Sequence, residues 1–324
     1  MDCFVRFFQP PRLLMQPNQL KTKGKIMKEK QAWFYSDGLK LHGKFYYPDA
    51  GEADEKKPDV VICSGFMGLN NIHPARFARA LTEKGYTCFG FDYRGFAQSE
   101  GNPGRVLLEE QIRDIENAAI FVSMQKKNPN KKMVLIGWGM GAGLILQAAY
   151  AVPDLAGMIS INGFYNGFRF FKAYRSEAEY REFMTWLLQQ RVAEITTGES
   201  IRVDPFTIYP LDEVTRGYVD EVLFKTDGFG GDVDIGFAYS LLRYNPEGQL
   251  EQQVPDVPLL VVHGENNRLH PLSEAHSLYQ KYPGDKTLHI IPRAGHTEWM
   301  CDDCEPFQKL VATLLTWLAS KVAA

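Results

Sequence analysis

Three glycines, Gly137, Gly139 and Gly141, lie in "LIGWGMGAGL" (residues 135–144) at the spacing of G-x-S-x-G, the sharp strand-to-helix turn that presents a nucleophilic serine. The middle position is Gly139, which carries no side chain to attack a carbonyl. Glycine tolerates the positive φ of such a turn without penalty, so the turn is expected to keep its shape and leave extra space at its tip. Farther on, "HGENNRLHP" (263–271) holds Asn267, and "IPRAGH" (291–296) ends a strand-like run on His296. Histidine is the side chain best suited to take or give a proton near neutral pH.

Other chemistry-bearing spacings are weaker. "CDDC" (301–304) has a C-x-x-C spacing, but a zinc site needs two more ligands and no second such pair exists, so it reads as a loop and helix start. The glycines at 137, 139, 141 and 143 miss the dinucleotide fingerprint at Ala142. A G-x-x-A close is tolerated, yet the run sits deep in the chain and no acidic residue ends the next strand. No metal and no cofactor are expected.

The elements that must position these residues alternate. "QAWFYSDGLKLHGKFYYP" reads as a hairpin turning at Asp37-Gly38. "DVVICSG", "KMVLIGW", "LAGMISING" and "PLLVVHGE" are short apolar runs typical of buried parallel strands, and helical patterns separate them. One helix carries Leu108, Ile112, Ile115, Ala119 and Val122 on a single stripe, and the last carries Phe307, Leu310, Val311, Leu314, Leu315 and Leu318. The fold class is therefore α/β, a mostly parallel sheet with helices on both faces. Residues 163–253 break the rhythm and are too long for a simple connection. They are expected to form a helical cap over the carboxyl ends of the strands, where such sheets bind ligands. The remaining divisions are a core of residues 31–162 and 254–324 and an N-terminal arm, 1–30.

In this order the pieces resemble the α/β-hydrolase superfamily. "DYRGFAQSEG" (92–101) is similar to its D-x-R-G-x-G-x-S segment, "GWGMG" stands at the nucleophile elbow, "HGENNRLHP" at the segment bearing the acid, and "GH" (295–296) at the catalytic histidine. The cap position and the "QIRDI" helix resemble the branch of dienelactone-hydrolase-like esterases and polyketide acyl transferases. The resemblance implies that Gly139 stands at the nucleophile position and Asn267 at the acid position, leaving His296 of the triad. It also implies an oxyanion cradle from the backbone N–H groups of Met140 and Phe66, with Ser64 and Trp138 beside it. Glu265 and Glu298 are near enough in sequence to replace the acid. Asp92 and Arg94 are expected to be structural. Of the aromatics Phe164, Tyr165, Phe168, Phe170, Phe171, Tyr174 and Trp186, two or three are expected to touch a ligand.

Two readings of different kinds remain open. One is an enzyme that stabilises an enolate of a small apolar carbonyl or acyl compound and performs elimination, decarboxylation or cyclisation. The other is a non-catalytic protein that keeps the pocket for binding or assembly. Residual acyl chemistry through a displaced hydroxyl, such as that of Ser64, is a third.

Bulk properties are compatible with either. The chain has 324 residues, 45% of them apolar, and a formal net charge of -3, which argues against nucleic acid and anionic membranes as partners. No apolar run approaches the roughly 18 residues of a membrane span. Five cysteines without framework spacing point to a reduced, cytoplasmic setting. The arm is proline-interrupted and lacks a signal-peptide pattern. It is expected to be flexible, with Phe4, Phe7 and Phe8 available to a homodimer partner, as the cap would be; Met15 and Met27 are alternative starts.

Overall fold

Asp37 and Gly38 both take positive φ, 49° and 81°, and the chain reverses there to pair β1 (Lys28–Ser36) with β2 (Leu39–Tyr47). This is the expected two-residue hairpin. The computed structural model describes residues 28–49, 55–250, 256–297 and 299–322. The arm proposed as a partner surface thus lies outside the described residues, apart from the start of β1.

The core continues through β3 (Asp59–Cys63), α1 (His73–Thr82), β4 (Cys88–Phe91), α2 (Leu108–Met124), β5 (Met133–Trp138), α3 (Met140–Ala148) and β6 (Leu155–Ile161). It resumes with β9 (Leu259–Gly264), α10 (Leu272–Lys281), β10 (Lys286–Ile291) and α11 (Glu305–Lys321). Between β6 and β9 come α4 (Gly167–Ala173), α5 (Glu177–Thr197), β7 (Arg202–Val203), α6 (Pro205–Ile208), α7 (Glu213–Glu221), β8 (Val233–Asp234), α8 (Gly236–Arg243) and α9 (Pro246–Leu250). Eight strands form one sheet in the order β1-β2-β4-β3-β5-β6-β9-β10. β2 runs antiparallel to both neighbours, and every other pairing is parallel.

Strand alternation divides the apolar residues between two layers. Val61, Leu135, Met158 and Val261 face α2 and α3, whereas Val60, Ile136, Ile159 and Val262 face α1 and α11. Because both faces are covered, the central strands are apolar at every position rather than every second one. The expected stripe on α2 packs inward, with Ile112 only half-buried; on α11, Trp317 takes a deeper place than Leu315.

Within the stretch that breaks the rhythm, residues 196–210 contain β7, which pairs with β8 in a separate two-stranded ladder, and the short α6. α5 begins with a capping box in which Ser176 and Glu179 satisfy each other's backbone N–H, and ends at Gly198 with φ 74°. A charged cluster ties this segment to the core. Arg169 of α4 reaches Glu274 of α10 through Nε and Nη2, each at 2.7 Å, and also bonds both oxygens of Glu247. Ser277 and Lys281 add bonds to Glu247 at 2.7 and 3.1 Å. Burial is the largest influence on the Glu247 carboxyl and acts to raise its pKa, but Arg169, Ser277 and Lys281 together outweigh it and hold it below the usual carboxylate value.

Candidate active site

Gly139 connects β5 to α3 with φ 56° and ψ −120°. Gly137 and Gly141 flank it where a side chain would meet the backbone of Gly141 and Ser64, so small residues let β5, α3 and the loop after β3 close together. At Gly139 itself there is room. A Cβ built there lies 3.7 Å from Nε2 of His296 and 3.9 Å from its Cε1, with nothing nearer. Met140 opens α3, so its N–H is one of the donors that a helix N-terminus leaves without an intrahelical acceptor. Phe66 follows β3 beside it. The structure therefore brings together Gly139, Met140, Phe66, Ser64, Trp138 and His296 around one cavity.

The state of His296 follows from its neighbours. The backbone N–H of His270 donates to Asn267 Oδ1 at 2.9 Å, which fixes the amide's orientation, since a carbonyl oxygen must face that donor. Asn267 Nδ2 then lies 3.2 Å from Nδ1 of His296. An amide nitrogen can only donate, so Nδ1 accepts and the single proton of the neutral ring sits on Nε2, the nitrogen facing Gly139. A carboxylate at position 267 would impose the opposite tautomer. Burial first, then the nearby His270, His73 and His263, push the His296 pKa well below its ordinary value, so the ring stays neutral. In this neutral tautomer Nε2 of His296 faces the cavity as a hydrogen-bond donor.

Two further histidines lock this arrangement. His270 donates from Nδ1 to the Asn162 carbonyl at 2.6 Å and accepts at Nε2 from the Tyr209 hydroxyl at 2.6 Å. His263 donates from Nε2 to the His270 carbonyl at 2.8 Å. Burial lowers the pKa of His270 to about 3 and that of His263 to about 4. Asn162, at the end of β6, donates to the His296 carbonyl at 2.9 Å and accepts from the Gly264 N–H at 2.8 Å. Sequence reasoning missed Asn162, His270 and His73. Their one available signal was position, after β6 in "ISING", within "HGENNRLHP", and at the start of α1.

The cavity has a volume of about 60 Å³. Its core side is the cradle just described; the facing side is Phe206, Tyr209, Leu211, Val219 and Phe229. None of the seven aromatics, two or three of which were expected to touch a ligand, lines it. Phe164, Tyr165, Phe170 and Phe171 are instead buried in the packing of the segment, and Phe168 is exposed. The wall comes from α6, α7 and the loops beside them. Phe66 contributes its ring as well as its backbone, stacked at 4.8 Å on Tyr209 and 5.1 Å on Phe237. Trp138 both walls the cavity and packs against His296 at 5.5 Å and Trp299 at 5.7 Å.

The remaining candidates fall elsewhere. Glu265 is exposed and accepts from the Arg293 N–H at 2.8 Å, a turn contact, and Glu298 lies outside the described residues. Asp92 is buried against His42 and the Asn70 N–H at 2.8 and 2.7 Å, and Arg94 pairs with Asp114 at 2.6 Å, so both are structural. Cys301 and Cys304 do occupy a loop and helix start, but they form a disulfide, at odds with the expected reduced state. Cys63 and Cys88 are free and buried. Among the described residues, no helix is long and apolar enough to cross a membrane.

Residues 54–301 match the family described as serine aminopeptidase, S33. An uncharacterized 31.7 kDa protein of the traX-finO intergenic region of Escherichia coli is 28% identical over 255 residues, covering 76% of this chain and 85% of its own. Acyltransferase drtE of Aspergillus calidoustus is 25% identical over 290 residues, covering 84% and 89%. Among solved structures, the α/β hydrolase GrgF from Penicillium sp. sh18 aligns with a TM-score of 0.72 at 18% identity, over 92% of this chain and 100% of its own. The sheet order, the glycine elbow after β5 and the histidine after β10 agree with a family match over most of the chain: the protein belongs to the serine aminopeptidase (S33) family of α/β-hydrolases.

Proposed function

We propose that the site binds a small apolar carbonyl compound, holds its oxygen between the N–H groups of Met140 and Phe66 and the Nε2–H of His296, and activates the adjacent carbon without covalent attack. The observation that carries this reading is the relation of Asn267, His296 and Gly139. The triad's base is turned into a donor, and the space a nucleophile would fill is left open 3.7 Å from it. Three donors aimed at one oxygen in an apolar cavity stabilise developing enolate charge, because they are already oriented and shielded from water. Elimination, decarboxylation or cyclisation of a substrate that carries its own leaving group would use such a cradle. The segment between β6 and β9 acts as the cap.

A second reading, non-catalytic binding, is favoured by one observation: with Nε2 protonated and the ring pKa low, His296 cannot serve as the base. Acetophenone in deuterated buffer separates the two. Proton NMR should show faster exchange of its methyl protons with wild-type protein, the proton passing to buffer base while the cradle holds the enolate oxygen, and this acceleration should be lost in His296→Ala. Binding without faster exchange would select the non-catalytic reading. Equal affinity for acetophenone and ethylbenzene would sink the carbonyl cradle altogether.

A further inference from the structure

The chain that leaves His296 runs into a surface turn whose two cysteines, Cys301 and Cys304, are joined as a disulfide. Both are partly exposed, and Asp303 between them is exposed. Cys63 and Cys88 are instead fully buried in β3 and β4, where burial pushes both thiols up, Cys88 to about 12. Among the described residues, the cysteine chemistry open to a reagent therefore lies at 301–304.

As a staple this bond does little. It joins residues only three apart in sequence, and a cross-link constrains the unfolded chain less the shorter the loop it closes. The backbone already holds its ends together. The Cys304 N–H donates to the Cys301 carbonyl at 3.1 Å, and the two Cα atoms are 5.2 Å apart, within the ordinary span of a disulfide. Opening the S–S bond would thus leave two neighbouring thiols poised to close again. Cys304 is also the N-cap of α11, a helix of 17 residues whose N-terminal dipole favours a thiolate and makes Cys304 the better leaving group. Of the nearby carboxylates that oppose this charge, Asp302 is paired with Arg76 at 2.8 Å and Glu305 with Lys309 at 2.6 Å.

The turn is braced against the cavity. The Met300 N–H donates to the Thr297 carbonyl at 2.9 Å, and the Met300 carbonyl accepts from Arg76, the residue that also holds Asp302. Trp299 is buried, with its indole N–H on the Gly295 carbonyl at 3.1 Å and its ring 5.7 Å from Trp138. Thr297 and Trp138 line the cavity together with His296. α1, the disulfide turn and the His296 loop thus form one unit.

We propose that Cys301–Cys304 is a reversible thiol–disulfide exchange site for small dithiols, and that opening it loosens the brace on the loop that carries His296. The site is separate from the carbonyl reading and stands whether or not that reading holds. In the first step a thiolate of the dithiol attacks Sγ of Cys301. The S–S bond breaks, and its electron pair leaves on Sγ of Cys304, which takes a proton. The second thiolate of the reductant then attacks its own sulfur in the mixed disulfide, and Cys301 leaves and is protonated. The dithiol is oxidised to a cyclic disulfide and gives up two protons; the protein gains two electrons and those two protons.

Dithiothreitol is the probe. The full chain is equilibrated without denaturant in equal amounts of reduced and oxidised dithiothreitol, free thiols are captured with a maleimide, and the adducts are mapped by peptide mass. The pair should lie about tenfold in favour of the dithiol, with adducts on Cys301 and Cys304 and none on Cys63 or Cys88. Oxidised glutathione should restore the disulfide. In the reduced protein, amide exchange across residues 299–304 should quicken at least about threefold, and the ring ¹⁵N resonances of His296 should shift. A pair that is already a dithiol in air-equilibrated protein, or that stays closed until denaturant is added, would overturn the exchange site. Reduction that leaves amide exchange and the His296 resonances unchanged would overturn the brace. Cys304→Ser, which cannot form the bond, should match the reduced form in both readouts. Wild type in its two states decides the matter even if that variant does not fold.

Discussion

A side-chain atom at Gly139 would stand 3.7 Å from Nε2 of His296, close enough for a serine hydroxyl to turn into hydrogen-bonding range. The turn keeps φ 56°, and a non-glycine residue there is strained by about 1–3 kcal/mol, a cost that serine nucleophiles at such turns bear. Position alone, however, does not restore a base, because Asn267 still places the imidazole proton on Nε2.

Reactivity should accordingly return in two steps. Wild type is expected to show no adduct with a fluorophosphonate by intact mass, and Gly139→Ser to label slowly. Adding Asn267→Asp should accelerate labelling by several powers of ten, since the reverse exchange in a serine protease triad costs about 10⁴. Equal rates for the single and double variants would refute the tautomer argument. An adduct on wild type would reveal a different nucleophile.

Acid should destabilise the fold earlier than carboxylate titration alone would. Burial holds His73 and His270 at about 3 and His263 at about 4, and it pushes His296 down as well. Their folded pKa values are below the unfolded value of about 6.5, so below pH 6.5 the unfolded chain binds protons that the native chain refuses. Stability is full above pH 6.5 and falls through the window from 6.5 to about 4, by about 1.4 kcal/mol per pH unit for each histidine still neutral in the native state. Urea unfolding at successive pH values measures the slope. A flat profile from pH 7 to 5 would mean that these rings are not buried neutral.

Arg169→Ala should cost about 3–5 kcal/mol, because it strands the Glu247 and Glu274 carboxylates, both buried, without their shared cation. Arg169 is itself partly exposed, which favours the lower end. Glu247 has its folded pKa lowered, so its contribution is present above the unfolded value of about 4.5 and is lost as pH falls through the folded one. The variant and wild type should therefore converge as pH falls through the folded pKa of Glu247, which thermal unfolding at successively lower pH would check.

Asn162→Ala should destabilise by about 2–3 kcal/mol, since the His296 carbonyl and the Gly264 N–H both lose buried partners. It should also blunt carbonyl selectivity, because the His296 loop loses its tether to β6. Normal selectivity in a destabilised variant would show that the tether is purely structural.

The sheet was legible in the chain because "DVVIC", "MVLIGW" and "LLVVHG" are buried on both faces and so carry an unbroken apolar signal. The elbow was legible because alternating glycines between a strand and a helix mark a tight turn with close backbone approach on either side. Roles that depend on contact across the fold were not. Whether His296 accepts or donates is decided by the orientation of the Asn267 amide, which is decided in turn by the His270 N–H. The cavity wall was not legible, because aromatic residues 164–174 satisfy the segment's own packing, while Leu211 and Val219 carry no marker of a ligand surface. His73 reads as the first residue of an ordinary helix.

The Arg169 cluster also has a bearing on how a molecule could enter. It rivets α4 and α9 to α10 by charged bonds that water and ligand do not easily replace. Around α7, by contrast, Arg216 pairs with Asp220 of its own helix and Asp212 caps its own first turn, so the polar bonds of that side are mostly spent internally. Opening of the enclosure is therefore expected on the α7 side, beside Val219 and Tyr218. Amide hydrogen exchange should be faster in residues 213–221 than in 167–173, and added salt should narrow that difference, since the α4 side is the one held by charge.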